Sequence, residues 1–497
     1  MRSALVAFLA VAALCGCPTT PDVPRPTIAD DSTFLGLAVG EVSELLDPLA
    51  RADLYARLAD GYREVGDFRS MLSLATTALN LARSVGETEE SVRARLRLSP
   101  LFAAAGSDQS ALTALRSGLE FAAASSDAEL KATLLPTIVR YALQSDEPAR
   151  PVVRDAIDEV YVIEEPRRRA EALIRIAELS RAGGPALSVT GLIQQAIPAV
   201  RSVNDSLRRA ALFAQLAELA SATSEARLAD RLVQNVITEM RASESPDTDN
   251  ERESFLAVIG RLASLGRPDA ALELSRAVVQ PDLAAEGHIL VASATESQSS
   301  RLELLSVAGA LAEEVTDTQR YVLVQTHLGG AYAQAQSRAS AFRHAETAAA
   351  ILAVNPSLYS RIEPPARLVS LLVDIDRLQS VRDLLLLAPD DYVQGAVAVR
   401  AAEQLIRDGR LGLADDFLTL ALVASDEASY LADGLREEIV AGFARTGSIR
   451  LAIRTIERMK DELSRARAVT DLAVVAEPAG LLTPIYRADL ASVLASF

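Results

Sequence analysis

Cysteine is nearly absent. Only Cys15 and Cys17 carry a thiol, so the other 495 of 497 residues contain none. From residue 18 onward a disulfide, a thiol nucleophile, a zinc knuckle and a cysteine-held iron–sulfur cluster are all excluded, and folding must rest on burial. Tryptophan is missing and aromatics make up 4% of the chain. With abundant Ala, Leu and Arg, that favours helix over strand. Lysine occurs only at Lys131 and Lys460, so arginine carries nearly all the positive charge. The three histidines, His288, His327 and His344, form neither a His-x-x-x-His nor a His-Glu-x-x-His pair, which leaves a zinc hydrolase without support. There is no Gly-x-Gly-x-x-Gly, no Walker lysine loop and no Gly-x-Ser-x-Gly elbow. No catalysis, no cofactor and no metal are therefore expected. Positive charge is also in deficit. A net charge of −17 with scattered arginines argues against nucleic acid and against a polybasic membrane patch.

The N-terminus carries the most specific signal. Arg2 precedes an apolar run from Ala4 to Leu14, followed by Leu14-Cys15-Gly16-Cys17. This is the layout of a secretory signal, with a positive start, an apolar middle and small residues at the cut. The run falls short of the ~20 residues that span a bilayer, and Pro18 follows it. Ordinary secretory cleavage and a buried N-terminal helix are the competing readings. The four residues ending at Cys17 resemble the lipobox of bacterial lipoproteins, although Cys15 departs from the small residues common at its position. The resemblance implies a signal peptide over 1–16 and diacylglyceryl attachment to the Cys17 thiol. It also implies a mature chain of net charge −18 once Arg2 is lost. Two or three acyl chains would anchor stably where one binds only marginally. The expected address is the bacterial cell envelope, with the membrane reached through the lipid. Pro18, rather than aspartate, after Cys17 tilts this toward the outer membrane or its periplasmic face.

Residues 17–32 read as a lipid-anchored, Pro-rich tether, with Pro18, Pro21, Pro24 and Pro26 among threonines and aspartates. From 33 to 497 the pattern is helical throughout. Apolar residues recur at i, i+3, i+4 and i+7, with no sustained alternation. Small or polar breaks fall near Gly66, Gly106, Asp146, Gly183, Thr223, Gly266, Ser297, Ala335, Asp376, Gly409 and Gly447. Their mean spacing is about 38 residues, the mark of a repeat array.

Four units carry motif as well as period. Tyr55, Leu58, Ala59 and Tyr62 precede Gly66 and Phe68, then Ala75, Ala78 and Leu79. Leu328-Gly329 and Tyr332 lead to Ala341, Ala345 and Ala348. Leu405, Gly409, Leu411, Ala414, Leu418 and Ala421 form a third, and Ile439, Val440, Phe443, Gly447, Ile449, Ala452 and Ile456 a fourth. These units resemble tetratricopeptide repeats, each a pair of antiparallel helices. The period is longer than that family's 34, the signature tryptophan is absent, and the closing proline is mostly missing. A generic, HEAT-like hairpin solenoid is the neighbouring reading. The expected fold is an all-α solenoid of about eleven hairpins, wound as a right-handed superhelix or arc. Three stretches interrupt it: Ser243–Ser254 as an exposed loop, Pro281–Ser300 as a poorly patterned unit, and the Pro-rich Asn355–Pro365. Residue 248 is the candidate place for a subdivision.

Other residue groups carry chemistry suited to a site. Arg167-Arg168-Arg169 and Arg208-Arg209 suit a partner's carboxylates, but pairing with acids on adjacent hairpins is the plainer expectation. Tyr55, Tyr62, Tyr321 and Tyr332 suit a concave peptide-binding face, yet Tyr62 and Tyr332 fall at packing positions. The carboxylate pairs Glu164-Glu165, Glu313-Glu314, Asp390-Asp391 and Asp415-Asp416 read as solvated faces or loop ends. Asn204-Asp205-Ser206 matches a glycosylation acceptor by chance. The expected function is a lipid-anchored envelope scaffold that binds a protein or peptide through its repeat surface. The alternative is a ligand-binding accessory of a periplasmic transport system, with a cavity inside the superhelix. Partner-binding residues are not readable from the sequence.

Overall fold

The computed structural model describes residues 25–28, 30–145, 149–183, 187–358, 363–428, 432–481 and 483–497. The signal segment, Cys17 and most of the tether lie outside them. Among the described residues there are 25 α-helices, one short 3-10 turn (Pro356–Leu358) and no strand. The fold is a tetratricopeptide-like array of helical hairpins.

Helix α1 (Phe34–Ser43) stands first. Twelve pairs follow. They are α2/α3 (Pro48–Glu64, Phe68–Ser84), α4/α5 (Glu89–Ala104, Asp108–Ala124), α6/α7 (Ala128–Leu143, Arg150–Tyr161) and α8/α9 (Pro166–Gly183, Val189–Arg201). Next come α10/α11 (Ser206–Ala222, Ala226–Ala242), α12/α13 (Asp249–Ser264, Pro268–Ala277), α14/α15 (Pro281–Ala294, Gln298–Ala312) and α16/α17 (Thr318–Gln334, Arg338–Val354). The last are α18/α19 (Glu363–Asp374, Leu378–Leu385), α20/α21 (Asp391–Arg407, Leu411–Glu427), α22/α23 (Ala432–Thr446, Ile449–Ile456) and α24/α25 (Glu462–Ala476, Pro484–Leu494).

Local chemistry sets both ends of the hairpins. Eight even-numbered helices start at side-chain caps: Asp47, Thr88, Asp127, Asp205, Thr248, Asp317, Asp390 and Asp461 each accept a first-turn N–H. The turn inside a hairpin needs one left-handed residue. Gly66, Gly106, Gly266, Gly409 and Gly447 supply it at φ between +70° and +81°. Ser224, Gln336 and Asp376 do so at +58° to +61°. The next N–H then returns to a carbonyl five residues back, as Asp67 to Tyr62 (2.9 Å) and Ser448 to Phe443 (2.9 Å) do, completing a Schellman-type stop. The stretch expected as a loop over 243–254 becomes helix at Asp249, because Thr248 and Glu251 form a capping box.

Each even-numbered helix packs on the next, while odd-numbered neighbours are mostly splayed apart. The even helices therefore form an inner layer and the odd ones an outer layer. The series does not end as an open arc. Helix α24 packs against α2, and α1 lies between them. One apolar core runs through residues 34–111 and 322–490 as a single body, so the two ends of the chain share it. A second core covers 92–291, continuous across residue 248, and a small third one covers 285–335.

Three polar links cross the junction of the ends. The Phe34 N–H donates to Glu477 Oε2 (2.9 Å), Arg465 Nε donates to Glu41 Oε1 (2.5 Å), and Arg57 pairs with Asp471. Helix α1 takes the outer place beside α24, and α25, which follows α24 in the chain, swings out onto α23 and α1. The result is a closed ring of twelve inner helices. At the usual spacing of about 8–10 Å, their axes lie on a circle roughly 30–38 Å across. Subtracting about 10 Å of helix width leaves an opening of roughly 20–28 Å.

The end of the expected tether is packed onto this ring. Pro26 is buried, Ile28 touches the core, and the Thr27 N–H donates to Ser73 Oγ (2.8 Å). Asp30 and Asp31 press on Gly36 so closely that a Cβ there would stand 2.4 Å from the Asp30 carbonyl oxygen. No helix among the described residues is long and apolar enough to cross a membrane.

Candidate functional site: the inner wall

The side chains that face the opening follow the helical repeat. On α4 they are Arg93, Arg97 and Pro100; on α8, Arg168, Glu171, Arg175 and Glu178; on α10, Arg208, Ala211, Gln215 and Glu218. The opposite faces of these helices enter the core. The even-numbered helices contain 25 Lys and Arg against 23 Asp and Glu. The rest of the chain therefore holds 25 basic and 44 acidic residues, and carries all of the net negative charge. The inner helices are themselves uneven. Even-numbered α2 to α10 hold 15 basic and 9 acidic residues, although Arg95, Lys131 and Arg209 among them turn to Ser117, Glu159 and Glu239 on the outer helices, whereas α12 to α24 hold 10 and 14.

Clefts line the basic arc. The largest, about 780 Å³, lies across α8, α10 and α12, with Arg167, Glu171, Arg175, Arg208, Gln215 and Asn250 among its walls. A second of about 400 Å³ crosses α4, α6 and α8 and shares Glu171 and Arg175 with the first. A third of about 340 Å³ crosses α2 and α4 at Asp53, Arg57 and Arg97. A rim cleft of about 460 Å³, walled by residues 204–207 and 242–248, shares Leu207, Thr248 and Glu251 with the largest.

Some of these arginines are committed and others are not. Arg168 pairs with Glu129 on α6 (2.9 Å) and with Glu171 (3.0 Å), and Arg167 Nε donates to Glu171 Oε1 (2.7 Å). Arg93 bonds Glu89 (2.8 Å) and Thr133 (3.1 Å), and Arg97 pairs with Asp53. Arg175 and Arg208 have only loose pairs at 3.4 Å, with Glu178 and Asp205, and their side chains are 67% and 50% exposed. Arg140 stacks over Tyr141 at 4.5 Å and has no ion pair among the described residues. Donors on these three face the opening.

Between Arg252 of α12 and Arg367 of α18 the wall is locked instead. Arg252 pairs with Asp282, which lies 3.8 Å from Arg320. His327 Nε2 accepts from Arg367 (2.6 Å), whose other amine donates to Glu363 (2.6 Å). His327 Nδ1 lies 3.8 Å from Glu286 Oε1. Burial, reinforced by the Arg367 charge, pulls His327 down to about 4, so it is neutral at neutral pH. Burial also pushes the Glu286 carboxyl up, against the pull of Arg252, Arg367 and Arg320.

The other residues singled out from the sequence lie mostly in packing. Tyr55 and Tyr62 are in the core. Tyr332 stacks on His344 (5.2 Å), whose Nδ1 meets Gln325 Oε1 (2.6 Å), and the Tyr321 hydroxyl donates to Glu313 (3.2 Å). His288 is buried, its Nδ1 on the Ala284 carbonyl (2.7 Å). His327 and His344 sit on the paired helices α16 and α17 but face different neighbours. Arg209 bonds Glu239 on α11 of its own hairpin (2.6 Å) and Arg167 bonds within its own helix, so the expected pairing with an acid on an adjacent hairpin is seen for Arg168, with Glu129 on α6. Asp390 caps α20, and Asp415 accepts from Thr446 (2.6 Å) and Ser448 (2.5 Å) of the next hairpin. No group of three or more His, Cys, Asp or Glu is placed to hold a metal among the described residues. Cys17 lies outside them. Sequence reasoning missed Arg140 and Arg175 as wall residues, although both follow the helical period from Thr133 and Arg168.

No protein-family model matches the chain, and no curated protein matches it. Among solved structures it is similar to Ton1535 from Thermococcus onnurineus NA1, at 17% identity over 65% of this chain and 96% of that one, with a TM-score of 0.30. It is also similar to a signal-transduction ATPase with a tetratricopeptide-repeat sensor from Pyrococcus horikoshii. That likeness has 15% identity over 84% of this chain and 68% of that one, with a TM-score of 0.27. A third likeness is to the human IFIT1 dimer with m7Gppp-AAAA, at 11% identity over 95% and 94% of the two chains and a TM-score of 0.26.

Proposed function

We propose that this protein is a non-catalytic scaffold, anchored to a bacterial envelope membrane through lipid on Cys17, that binds a segment of a partner protein along the inside of its ring. The observation that supports this best is the wall itself, a charged, clefted surface with uncommitted donors at Arg140, Arg175 and Arg208. Repeat arrays generally bind through such concave faces. A small-molecule accessory would call for a dry apolar cavity, whereas the large cleft is walled by arginine, glutamate, glutamine and asparagine.

A photo-crosslinking residue placed at Gln215, on the wall, and separately at Arg231, on the outside of α11, tests the binding face. The reading predicts a specific envelope adduct from position 215 and none from 231. An adduct from 231 alone would overturn it. For the anchor, Cys17→Ala should move the protein from the membrane to the soluble fraction.

A further inference from the structure

We propose that the basic arc of the inner wall, from α4 to α12, takes an acidic, extended polypeptide segment. This rests on the reading of the wall as the binding face and names the partner's chemistry. Charge segregation is the first ground. The residues outside the helices hold 26 acidic against 8 basic residues, the outer helices are nearly neutral, and the inner helices α4 to α12 hold 14 basic residues against 9 acidic ones. A polyanionic segment is repelled by the connecting loops and drawn to one recessed arc. Geometry is the second. The clefts follow one another from α4 to α12 and share Glu171 and Arg175, so they form a single groove running across the helices. Arg140, Arg175 and Arg208 present guanidinium donors along it that suit carboxylates.

The occupant is a peptide rather than a nucleic acid on two further grounds. Glu171, Glu178 and Glu253 lie between the arginines, and they would repel an uninterrupted line of phosphates but accept backbone N–H groups. No aromatic ring lines these clefts, so a base would have nothing to stack on. Gln215, Asn250 and Thr133 offer side-chain partners to a backbone. Four inner-helix spacings of about 10 Å give a groove of about 40 Å. At about 3.3 Å per residue, that fits roughly 12 residues of extended chain.

The test is fluorescence anisotropy on the full lipidated chain in nanodiscs. The probes are a labelled 12-residue Glu/Ser/Gly peptide, its Lys/Ser/Gly counterpart and a 12-nucleotide oligothymidine. Binding of the acidic peptide alone is expected, weakened by added salt. Arg175→Glu and Arg208→Glu should each lower its affinity by about fivefold or more, and Arg231→Glu on the outside should leave it unchanged. Circular dichroism checks that each variant stays helical. Equal binding of the Lys peptide, tighter binding of the oligothymidine, or indifference to both wall substitutions would overturn the proposal. If crosslinks from position 215 persist under any of those results, the acidic-peptide inference fails while the inner-wall reading stands. Their loss would sink both.

Discussion

Two junctions in the ring do the same job by different routes. In the run α20–α21–α22, the outer helix is tied to its inner helix by three residues, 408–410. At the closing junction, α1 fills the outer place beside α24 although 418 residues separate them. Loop closure grows by about 0.6 kcal/mol per doubling of length, so the closing junction carries about 4 kcal/mol of extra entropic cost. It must offset that by burial, and it does so with a short helix that is apolar nearly all round. Phe34, Leu35, Ala38, Val39 and Val42 are at most 1% exposed. Four large side chains at ~1.5–3 kcal/mol each give roughly 6–12 kcal/mol, an upper estimate that still exceeds the cost. Closure thus rests on α1's composition, whereas an in-chain outer helix such as α21 buries Phe417, Leu418 and Ala421 without that entropic cost.

Val39→Asp should open the ring. An unpaired carboxylate at a fully buried position should cost at least about 4 kcal/mol and release α1. Small-angle scattering should then show an expanded particle, with far-ultraviolet dichroism nearly unchanged. A particle of unchanged size would show that α1 does not hold the ring shut.

A titratable difference comes next. The α14–α16–α18 junction contains His327, and no histidine lies in α1, α2 or α24. The folded protein keeps His327 neutral down to about pH 4, whereas the unfolded chain protonates it near 6.5. The stability it contributes is therefore present above pH 6.5 and lost as pH falls toward 4. The loss is on the order of 2–3 kcal/mol. Chemical denaturation at pH 7 and pH 4.5 should show His327→Gln losing less stability on acidification than the parent. Equal losses would contradict the assignment.

Gly395→Ala probes an in-chain junction by packing alone. A Cβ there would lie 2.5 Å from Leu435 Cδ2 on α22 and 3.4 Å from the Ala421 carbonyl on α21. Overpacking of about 1–3 kcal/mol is partly offset by alanine's helix preference. A lower Tm with unchanged particle size is expected, in contrast to Val39→Asp. The smallest effect is a gain. Gln336 holds φ +58°, where a side chain is strained, so Gln336→Gly should stabilise by about 0.5–1 kcal/mol in a thermal melt.

Much of the array was legible because its signals are local. Gly66, Gly106, Gly266, Gly409, Gly447 and Asp376 all prove to be the left-handed turn residues, and Thr223 and Ala335 are each one residue from them. Those turns depend on backbone preference alone. Tyr62 read as core for the same kind of reason, since spacing within one helix decides which face is buried, whereas Tyr55, which suits a concave binding face, is buried too. Closure was not legible, because Phe34 and Glu477 meet only after every intervening hairpin has added its rotation. The one available hint was α1 itself, whose sequence Phe-Leu-Gly-Leu-Ala-Val needs cover on several sides. The capping box at Thr248 and Glu251 was a local signal left unread. The basic arc was hidden by the overall charge of −17, which averages acidic connecting segments over inner helices that differ from them.

Everything assigned to the wall depends on the ring being closed. The direct measurement is the distance between spin labels at positions 57 and 471, in a chain with Cys15 and Cys17 replaced by alanine. Arg57 and Asp471 form an ion pair across the closing junction. A single short distance is predicted, set by neighbouring helices about 10 Å apart plus the label arms. A broad distribution centred beyond the inner circle's width of about 30 Å would mean an open arc and would contradict the account.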